Sequence, residues 1–300
     1  SQMFGELLGL WCVVMWQSMK MPARFVLAEM GPGRGTLMAD MLRAARTVPA
    51  FLAAADIWLV ETSPALRQRQ RETLKDHAVQ WAERFEDLPP GPLLLVTNEL
   101  FDALPIRQFE KRDGTWHERL VGHGEQGFEF VLGPEEVPDL PDTVLAARDG
   151  SVAETCPEGR ALAAAIGKRL NRDLGAALIV DYGHGRSAAG DTLQAVKRHK
   201  FHPVLQAPGS ADLTAHVDFE SLAVAAVPAR AWGPVGQGEF LRRLGIETRA
   251  ALLAQAGGPK VQAELEGQLR RLIDPGEMGT LFKVLALAHP ALPCPPGLAP

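Results

Sequence analysis

The chain has 300 residues, of which 46% are hydrophobic and 22% are charged, an ordinary composition for a globular protein. This length allows a core domain with an insertion, and the composition excludes a disordered chain, a collagen-like chain and a protein with many membrane spans. The 31 lysines and arginines and the 36 aspartates and glutamates give a net charge of −5, which argues against non-specific binding to nucleic acid or anionic lipid.

The first element is predicted to be a buried amphipathic helix. Apolar side chains recur there at helical spacing: Phe4, Leu7, Leu8, Trp11 and Met15. The longest uncharged run, residues 7–19, is shorter than the roughly 20 residues needed to cross a bilayer, and no basic segment precedes it. Neither membrane insertion nor a signal peptide is therefore predicted. Because Ser1 leads directly into this helix, we expect a preceding segment to be missing.

Short apolar runs then alternate with helical patterns. The predicted strands are 24–30, 57–60, 93–97 and 177–181, and the predicted helices among them are 37–46, 64–77 and 158–174. This alternation predicts a parallel sheet covered by helices on both faces.

Two regions depart from the alternation. Residues 106–133 have a β pattern and are predicted to form antiparallel strands at an edge of the sheet. Residues 218–287 are predicted to be mostly helical, with helices at 219–227, 238–256, 261–273 and 278–288. The proline-rich tail, 291–300, is predicted to be loose.

A glycine-rich turn, EMGPGRGT at residues 29–36, follows the first predicted strand. Glycines allow a sharp turn and let a ligand approach the backbone N–H groups. The spacing differs from the dinucleotide pattern G-x-G-x-x-G and from a phosphate-binding P-loop. It suits a ligand whose amino-acid end and ribose lie over the turn, such as S-adenosylmethionine. Glu61, directly after the second predicted strand, can accept hydrogen bonds from ribose hydroxyls. Alternatively, the glycines only form a tight turn and Glu61 caps the next helix.

Asn98, Glu99 and Asp102 follow the third predicted strand, where an open α/β sheet faces its ligand crevice. The two carboxylates could hold a guanidinium through bidentate hydrogen bonds, or take a proton during methyl transfer. The alternative is that Asn98 and Asp102 only cap a helix.

Two further sets of polar residues are candidates for substrate binding. Asp181 and Tyr182 end the next predicted strand, or simply form a turn there. Polar residues then alternate with apolar ones in a segment that a strand would place on one face: Asp212, Thr214, His216 and Asp218. This face is either a wall of the substrate cleft, with His216 as a proton acceptor, or a solvated surface with Asp218 as a helix cap.

Other side chains favour no special chemistry. Cys12, Cys156 and Cys294 are scattered and odd in number, which predicts neither a disulfide framework nor a metal site and favours a reducing compartment. The basic cluster 197–200 lacks interleaved aromatic residues and is predicted to be a solvated surface.

In this order, the motifs EMGPGRGT, VETSP, TNELFDALP, VDYGH and DLTAHVDF closely resemble the MidA family of S-adenosylmethionine-dependent methyltransferases. The resemblance runs from SQMFGELLG to MGTLFKVLA; the family usually has Phe where this chain has Leu100, and it has a further N-terminal segment. The resemblance implies an α/β fold of the class I methyltransferase type, a Rossmann-like sheet with inserted β-strands and an additional, mostly helical substrate domain. On this chain the core would be 1–105 and 175–217, the inserted β/α segment 106–174, and the substrate side with the loose tail 218–300.

The resemblance also implies a function, protein arginine N-methylation linked to assembly of respiratory complex I. The partner would be a protein, possibly a subunit of NADH:quinone oxidoreductase, with a homodimer as a further possibility. The location would be the cytoplasm of a bacterium or the mitochondrial matrix of a eukaryote. Two alternatives stay open at this point: an NAD(P)-dependent oxidoreductase, and a non-catalytic assembly chaperone with a methyltransferase fold.

The predicted site follows from these motifs. The residues predicted to bind S-adenosylmethionine are Glu29, Gly31, Gly33, Glu61 and Asn98. The residues predicted to be catalytic are Glu99, Asp102 and His216. The residues predicted to bind substrate are Asp181, Tyr182, Asp212 and Thr214, and no metal is predicted.

Overall fold

The computed structural model describes residues 1–125, 127–198 and 200–299. Its strands, in chain order, are β1 (Phe25–Met30), β2 (Ala55–Val60), β3 (Val79–Ala82), β4 (Leu93–Asn98), β5 (Arg107–Arg112), β6 (Thr115–Gly124), β7 (Gly127–Glu135), β8 (Val152–Thr155), β9 (Gly175–His184), β10 (Gln194–Lys197), β11 (Lys200–His202), β12 (Asp212–Thr214), β13 (Val217–Asp218), β14 (Arg230–Gly236) and β15 (Phe282–Ala288). Its helices are α1 (Gln2–Ser18), α2 (Thr36–Ala45), α3 (Pro49–Ala54), α4 (Pro64–Thr73), α5 (Asp142–Leu145), α6 (Pro157–Asp173), α7 (Phe219–Ala225), α8 (Gln237–Arg243), α9 (Ile246–Ile273) and α10 (Met278–Leu281).

A sheet of eight strands forms the centre of the molecule, in the order β14-β15-β9-β4-β1-β2-β3, with β13 paired to the end of β9. The pairs among β1, β2, β3, β4 and β9 are parallel, whereas β15 runs antiparallel to β9 and to β14. The predicted parallel sheet is confirmed for these five strands, and the two antiparallel strands at one side were not part of the prediction.

Helices cover both faces of this sheet, and every residue of β1 is therefore buried. Phe25 and Leu27 pack in a core with α1 and α2, and Val26 and Ala28 pack on the other face, against residues such as Ile166 of α6. Alternate side chains of one strand thus supply two cores, which is why the strand reads as a continuous apolar run.

The prediction of a helix over 278–288 is wrong beyond Leu281. Residues Phe282–Ala288 form β15, paired residue by residue with β9, for example Leu285 with Ile179. A short apolar run fits a buried strand as well as a helix, so the sequence pattern does not distinguish the two. The pairing with β9 makes this segment a strand. The adjacent β14 was not predicted because Gly233 and Pro234 interrupt it, and both lie at a bulge in an edge strand. The division of the chain into core, insertion and substrate side stays a prediction.

Residues 106–133 do form antiparallel strands, but their place at the edge of the central sheet is wrong. They make a separate four-stranded sheet in the order β7-β6-β5-β8. This sheet has a small core of its own, formed by Phe109, Trp116, Val144 and Ala153. The short β8, which lies outside the predicted β region, provides the second neighbour of β5.

The single strand predicted through 212–218 is also wrong. Asp212–Thr214 is β12 of a three-stranded sheet, and Val217–Asp218 is β13 beside β9. The chain leaves the ladder between them because the N–H of Ala215 donates to the carbonyl of Asp102 at 2.9 Å. The alternative role of Asp218 as a helix cap is confirmed, since its carboxylate accepts from the N–H of Ser221 at 3.0 Å at the start of α7.

The tail is packed rather than loose. Leu292 and Leu298 are 6% and 4% exposed and join the core on the α1 side of the sheet. Burial of these apolar side chains stabilises the packed tail relative to an exposed one. In the basic cluster, Arg198 and Lys200 are exposed, and His199 lies outside the described residues.

Within the described part of the chain, no helix is both long enough and apolar enough to span a membrane. The same residues hold no group of three or more His, Cys, Asp or Glu side chains arranged to bind a metal ion.

Candidate functional site

The candidate site lies at the carboxyl ends of β1, β2, β4 and β9. The strand register places Glu29 level with Leu59 of β2 and Val96 of β4, and Asn98 level with Val180 of β9. Residues that follow these strands therefore meet at one edge, the ligand-binding edge of an open α/β sheet.

The glycine turn adopts backbone conformations that favour glycine. Gly31, Gly33 and Gly35 have φ values of 67°, 51° and 78°. A Cβ on Gly31 would lie 3.0 Å from Leu100 Cδ1, so the turn contacts the Asn98–Asp102 segment. At Gly33 no described atom lies within 4 Å of the Cβ position, which leaves that backbone open to a ligand.

Glu29 is a buried carboxyl with one free oxygen. It is 2% exposed, it accepts a hydrogen bond from the N–H of Met38, and its Oε2 has no partner among the described residues. Burial raises the pKa of Glu29 to about 8. An unpaired buried polar atom is costly, so the arrangement fits a cationic or hydrogen-bonding ligand.

Glu61 is half-buried, and protein donors hold both carboxylate oxygens. Oε1 accepts from the N–H of Ser63 at 2.8 Å, and Oε2 accepts from Gln70 Nε2 at 3.3 Å. The cap of α4 is Ser63, whose Oγ accepts from the N–H of Leu66 at 3.4 Å. Glu61 is therefore not the helix cap that the alternative interpretation required.

Gln70 was missed in the sequence. It is fully buried, and Nε2 also donates to the carbonyl of Gly33 at 2.8 Å. The sequence does contain a signal for Gln70. It lies midway between two leucines on one helix face, at the spacing of four residues shared by Leu66, Gln70 and Leu74. A polar residue within such an apolar series is expected to have a specific partner.

Asp181 lies beneath the Asn98–Asp102 turn rather than on the cleft surface. It is 0% exposed, and Oδ2 accepts from the N–H groups of Leu100, Phe101 and Asp102 at 3.1, 2.9 and 3.3 Å. Oδ1 accepts from the N–H of Tyr182 at 2.9 Å. Burial, and then the nearby Asp102 carboxylate, raise the pKa of Asp181 to about 8. This buried position differs from the substrate contact predicted from sequence.

Glu99 projects from the turn into a cleft. Its side chain is exposed, its φ is 51°, and its N–H donates to the carbonyl of Val180 at 3.0 Å. Asn98 Nδ2 donates to Glu99 Oε1 at 3.2 Å. Both residues line a cleft of about 570 Å³, and Glu264 and Arg271 of α9 line another of its walls.

Asp102 is buried at the other end of the turn. Its Oδ1 is a buried atom with no hydrogen-bond partner within the described ranges. The Tyr182 hydroxyl lies near this carboxyl and near Thr214, whose Oγ1 accepts from Gln194 Nε2 at 3.3 Å. Burial raises the pKa of Asp102 above the usual aspartate range, although the nearby Tyr182 hydroxyl opposes the shift. The structure thus brings Asp102, Tyr182 and Thr214 together.

His216 joins this group through Tyr182, whose ring it meets edge-on with centroids 5.6 Å apart. Burial, followed by the charge of His184, lowers the pKa of His216, which favours the neutral imidazole. Asp212 is exposed on the three-stranded sheet, and none of the described side-chain hydrogen bonds joins it to Asp102 or Tyr182.

These residues fit S-adenosylmethionine. The free oxygen of Glu29 suits the charged amino end, the open glycine backbone permits close approach, and Glu61 keeps a carboxylate available to hydroxyl groups. Glu99 and Asp102 follow β4, the strand paired with β1, at the same edge of the sheet.

Comparison with known proteins identifies relatives across nearly the whole chain. Residues 7–236 match the family model described as S-adenosyl-L-methionine-dependent methyltransferase. A Danio rerio protein named "Protein arginine methyltransferase NDUFAF7, mitochondrial" is 35% identical over 97% of this chain and 75% of its own length. The Mus musculus protein of that name is 38% identical over 96% of this chain and 72% of its own length.

A solved structure is similar as well. A Burkholderia thailandensis protein crystallised with bound S-adenosyl-homocysteine superposes with a TM-score of 0.82 at 27% identity. The match covers 100% of this chain and 78% of that one.

Proposed function

Since the chain belongs to the family of S-adenosylmethionine-dependent methyltransferases, we propose that it transfers a methyl group to the guanidinium of an arginine on a protein. The observation that carries the proposal is the Asn98–Asp102 turn, which presents one exposed and one buried carboxyl beside the cofactor edge. Carboxylates are suited to bidentate recognition of a guanidinium. Relatives named protein arginine methyltransferases support the same substrate.

The cofactor side consists of Glu29, the glycine turn and Glu61. Glu29 accepts from the charged amino end of the cofactor, Gly31 and Gly33 leave room for it, and Glu61 accepts from its ribose. Asn98 ends β4, the strand paired with β1, and is proposed to contact the cofactor from there. When bound, S-adenosylmethionine supplies a methyl group already activated by a sulfonium, so the protein needs alignment more than strong acid chemistry.

The substrate side consists of Glu99 and Asp102. Glu99 orients the guanidinium from the cleft, because it is the exposed carboxyl of the turn. A guanidinium nitrogen that gains a methyl group must lose a proton. Asp102 accepts that proton, since its raised pKa makes it a stronger base than an ordinary aspartate.

The other predicted residues support this pair. Asp181 positions the turn through backbone N–H groups instead of contacting substrate. Tyr182 orients the Asp102 carboxyl, Thr214 lies beside the Tyr182 hydroxyl, and neutral His216 packs against Tyr182 as a second acceptor within the site. Asp212 has no role in this scheme.

The family excludes the NAD(P)-dependent oxidoreductase considered from the sequence. A subunit of NADH:quinone oxidoreductase as the methyl acceptor, a homodimer and a mitochondrial location remain predictions from the family resemblance. The mitochondrial names of the relatives support the last of these. A non-catalytic chaperone would not need the buried carboxyl of Asp102 beside the cofactor edge.

Mass spectrometry tests the proposal. Candidate proteins are incubated with this protein and S-adenosylmethionine that carries a deuterated methyl group, and their peptides are sequenced. We expect the label on an arginine side chain. If S-adenosyl-homocysteine binds in calorimetry but the label appears only on lysine or on small molecules, the proposed acceptor is wrong.

A further inference from the structure

Gln70 of α4 joins the two halves of the cofactor edge. Its amide nitrogen donates to the carbonyl of Gly33 at 2.8 Å and to Glu61 Oε2 at 3.3 Å. Its amide oxygen accepts from Trp81 Nε1 at 2.8 Å. The side chain is 0% exposed, so water does not compete for these bonds.

The chemistry of the partners fixes the direction of this amide. An indole N–H only donates, so the Gln70 oxygen must face Trp81. The Gly33 carbonyl and the Glu61 carboxylate only accept, so the amide nitrogen must face them. Of the natural side chains of this length, only glutamine offers one acceptor and two donors in this order.

We propose that Gln70 is a positioning residue for the cofactor, holding the Glu61 carboxylate and the glycine turn in fixed relation. The inference rests on the proposed cofactor roles of Glu61 and Gly33. Gln70 and the N–H of Ser63 are neutral donors, so they orient the carboxylate without cancelling its charge. The pocket is then formed before the cofactor binds, which reduces the ordering cost of binding.

The first test replaces Gln70 with a side chain of similar length that donates no hydrogen bond. For Gln70→Met we expect S-adenosyl-homocysteine to bind about tenfold more weakly in titration calorimetry, the usual effect of losing a hydrogen bond to a charged group. The matched control is Gln68→Met, because Gln68 is exposed on the same helix and, among the described residues, its amide bonds only with Glu72. The control should bind like the native protein.

The second test separates positioning from mere packing. Gln70→Glu keeps the shape and the acceptor for Trp81, but places a carboxylate against Glu61 and the Gly33 carbonyl. Binding should be weak near pH 8 and should recover toward about pH 6, where a buried carboxyl beside a like charge takes up a proton and can donate again. The ratio of its affinity to that of Gln70→Met should therefore rise as the pH falls.

Glu61→Ala distinguishes failure of the inference from failure of the proposed function. If Glu61→Ala binds S-adenosyl-homocysteine as tightly as the native protein, the proposed cofactor assignment is wrong. If Glu61→Ala binds weakly while Gln70→Met matches Gln68→Met, only the role of Gln70 is overturned. A weak Gln70→Met together with a pH-independent affinity ratio for Gln70→Glu would also overturn it.

Discussion

At the scale of single residues, two buried carboxyls lie within the candidate site. Glu29 and Asp181 each have a pKa raised to about 8, mainly by burial. At neutral pH the folded protein therefore favours the protonated form of Glu29, whereas the unfolded chain ionises it. Asp181 differs, because its two oxygens accept four backbone N–H bonds, which oppose protonation.

The contribution of Glu29 to the free energy of unfolding should consequently fall as the pH rises from about 5 to about 8. The sign follows because Glu29 holds its proton in the folded state and loses it in the unfolded state over this range. Glu29→Gln removes this group, so relative to the native protein the change of stability with pH should differ by up to about 1.4 kcal/mol per pH unit. Urea titrations at several pH values measure it; an unchanged slope would show that Glu29 is not protonated in the fold.

The proposed base gives a second prediction. Asp102→Asn keeps the shape of the side chain but cannot take a proton, so the rate of methyl transfer should fall by about 10² or more. The affinity for S-adenosyl-homocysteine should change little, because Asp102 acts on the substrate side. Initial rates and calorimetry are compared with Asp113→Asn, an exposed turn residue. Equal losses of rate and affinity would assign Asp102 to the cofactor instead.

At the scale of elements, one carboxylate joins three helices. Glu6 of α1 is 3% exposed and accepts from Gln2, from Arg43 of α2 at 3.1 Å and from Arg249 of α9 at 2.7 Å. Burial alone would raise the pKa of Glu6, but the bonds from Arg249, Gln2 and Arg43 outweigh it and lower the pKa. Glu6 thereby joins α1 and α2 to the part of α9 that precedes a kink at Gly258.

Glu6→Gln should lower the free energy of unfolding by about 1–2 kcal/mol, less than for a fully buried ion pair because both arginines are partly exposed. The Glu6 contribution is present above the pKa of an unfolded glutamate and is lost as the pH falls through the folded value. The difference between native and variant should therefore shrink in acid. Glu239→Gln, which breaks an exposed pair with Arg243, is the control and should cost only a few tenths of a kcal/mol.

Some elements of the fold and of the site could be predicted from the sequence, and others could not. Strands β1, β2, β4 and β9 could be predicted because each is an apolar run buried on both faces, and their ends carry Glu29, Glu61, Asn98 and Asp181. The strand β15 could not, because its apolar run has no period that separates strand from helix. The burial of Asp181 and the bonds of Gln70 depend on tertiary neighbours, Phe101 and Trp81, which no local pattern specifies.

At the scale of the whole molecule, the cofactor edge and the four-stranded sheet belong to different parts of the fold. The glycine turn and the Asn98–Asp102 turn belong to the central sheet, whereas β5 to β8 form a sheet with its own core. A ligand at the edge should therefore stabilise one part of the molecule more than the other.

Hydrogen exchange tests this separation. With S-adenosyl-homocysteine bound, we expect slower exchange at the amides of residues 31–35 and 100–102, which line or support the proposed cofactor site. The amides of β6 and β7 should exchange as before and serve as the internal control. Equal protection of both regions would contradict the placement of the ligand.

The place of β15 has a consequence for biosynthesis. This strand is the last of the chain described, yet it lies between β9 and β14 in the central sheet. While the ribosome is still making residues 185–281, the β9 edge that later binds β15 has no partner, although its residues are among the most apolar of the molecule. An open apolar strand edge promotes aggregation, so the nascent chain should depend on chaperones until Ala288 emerges.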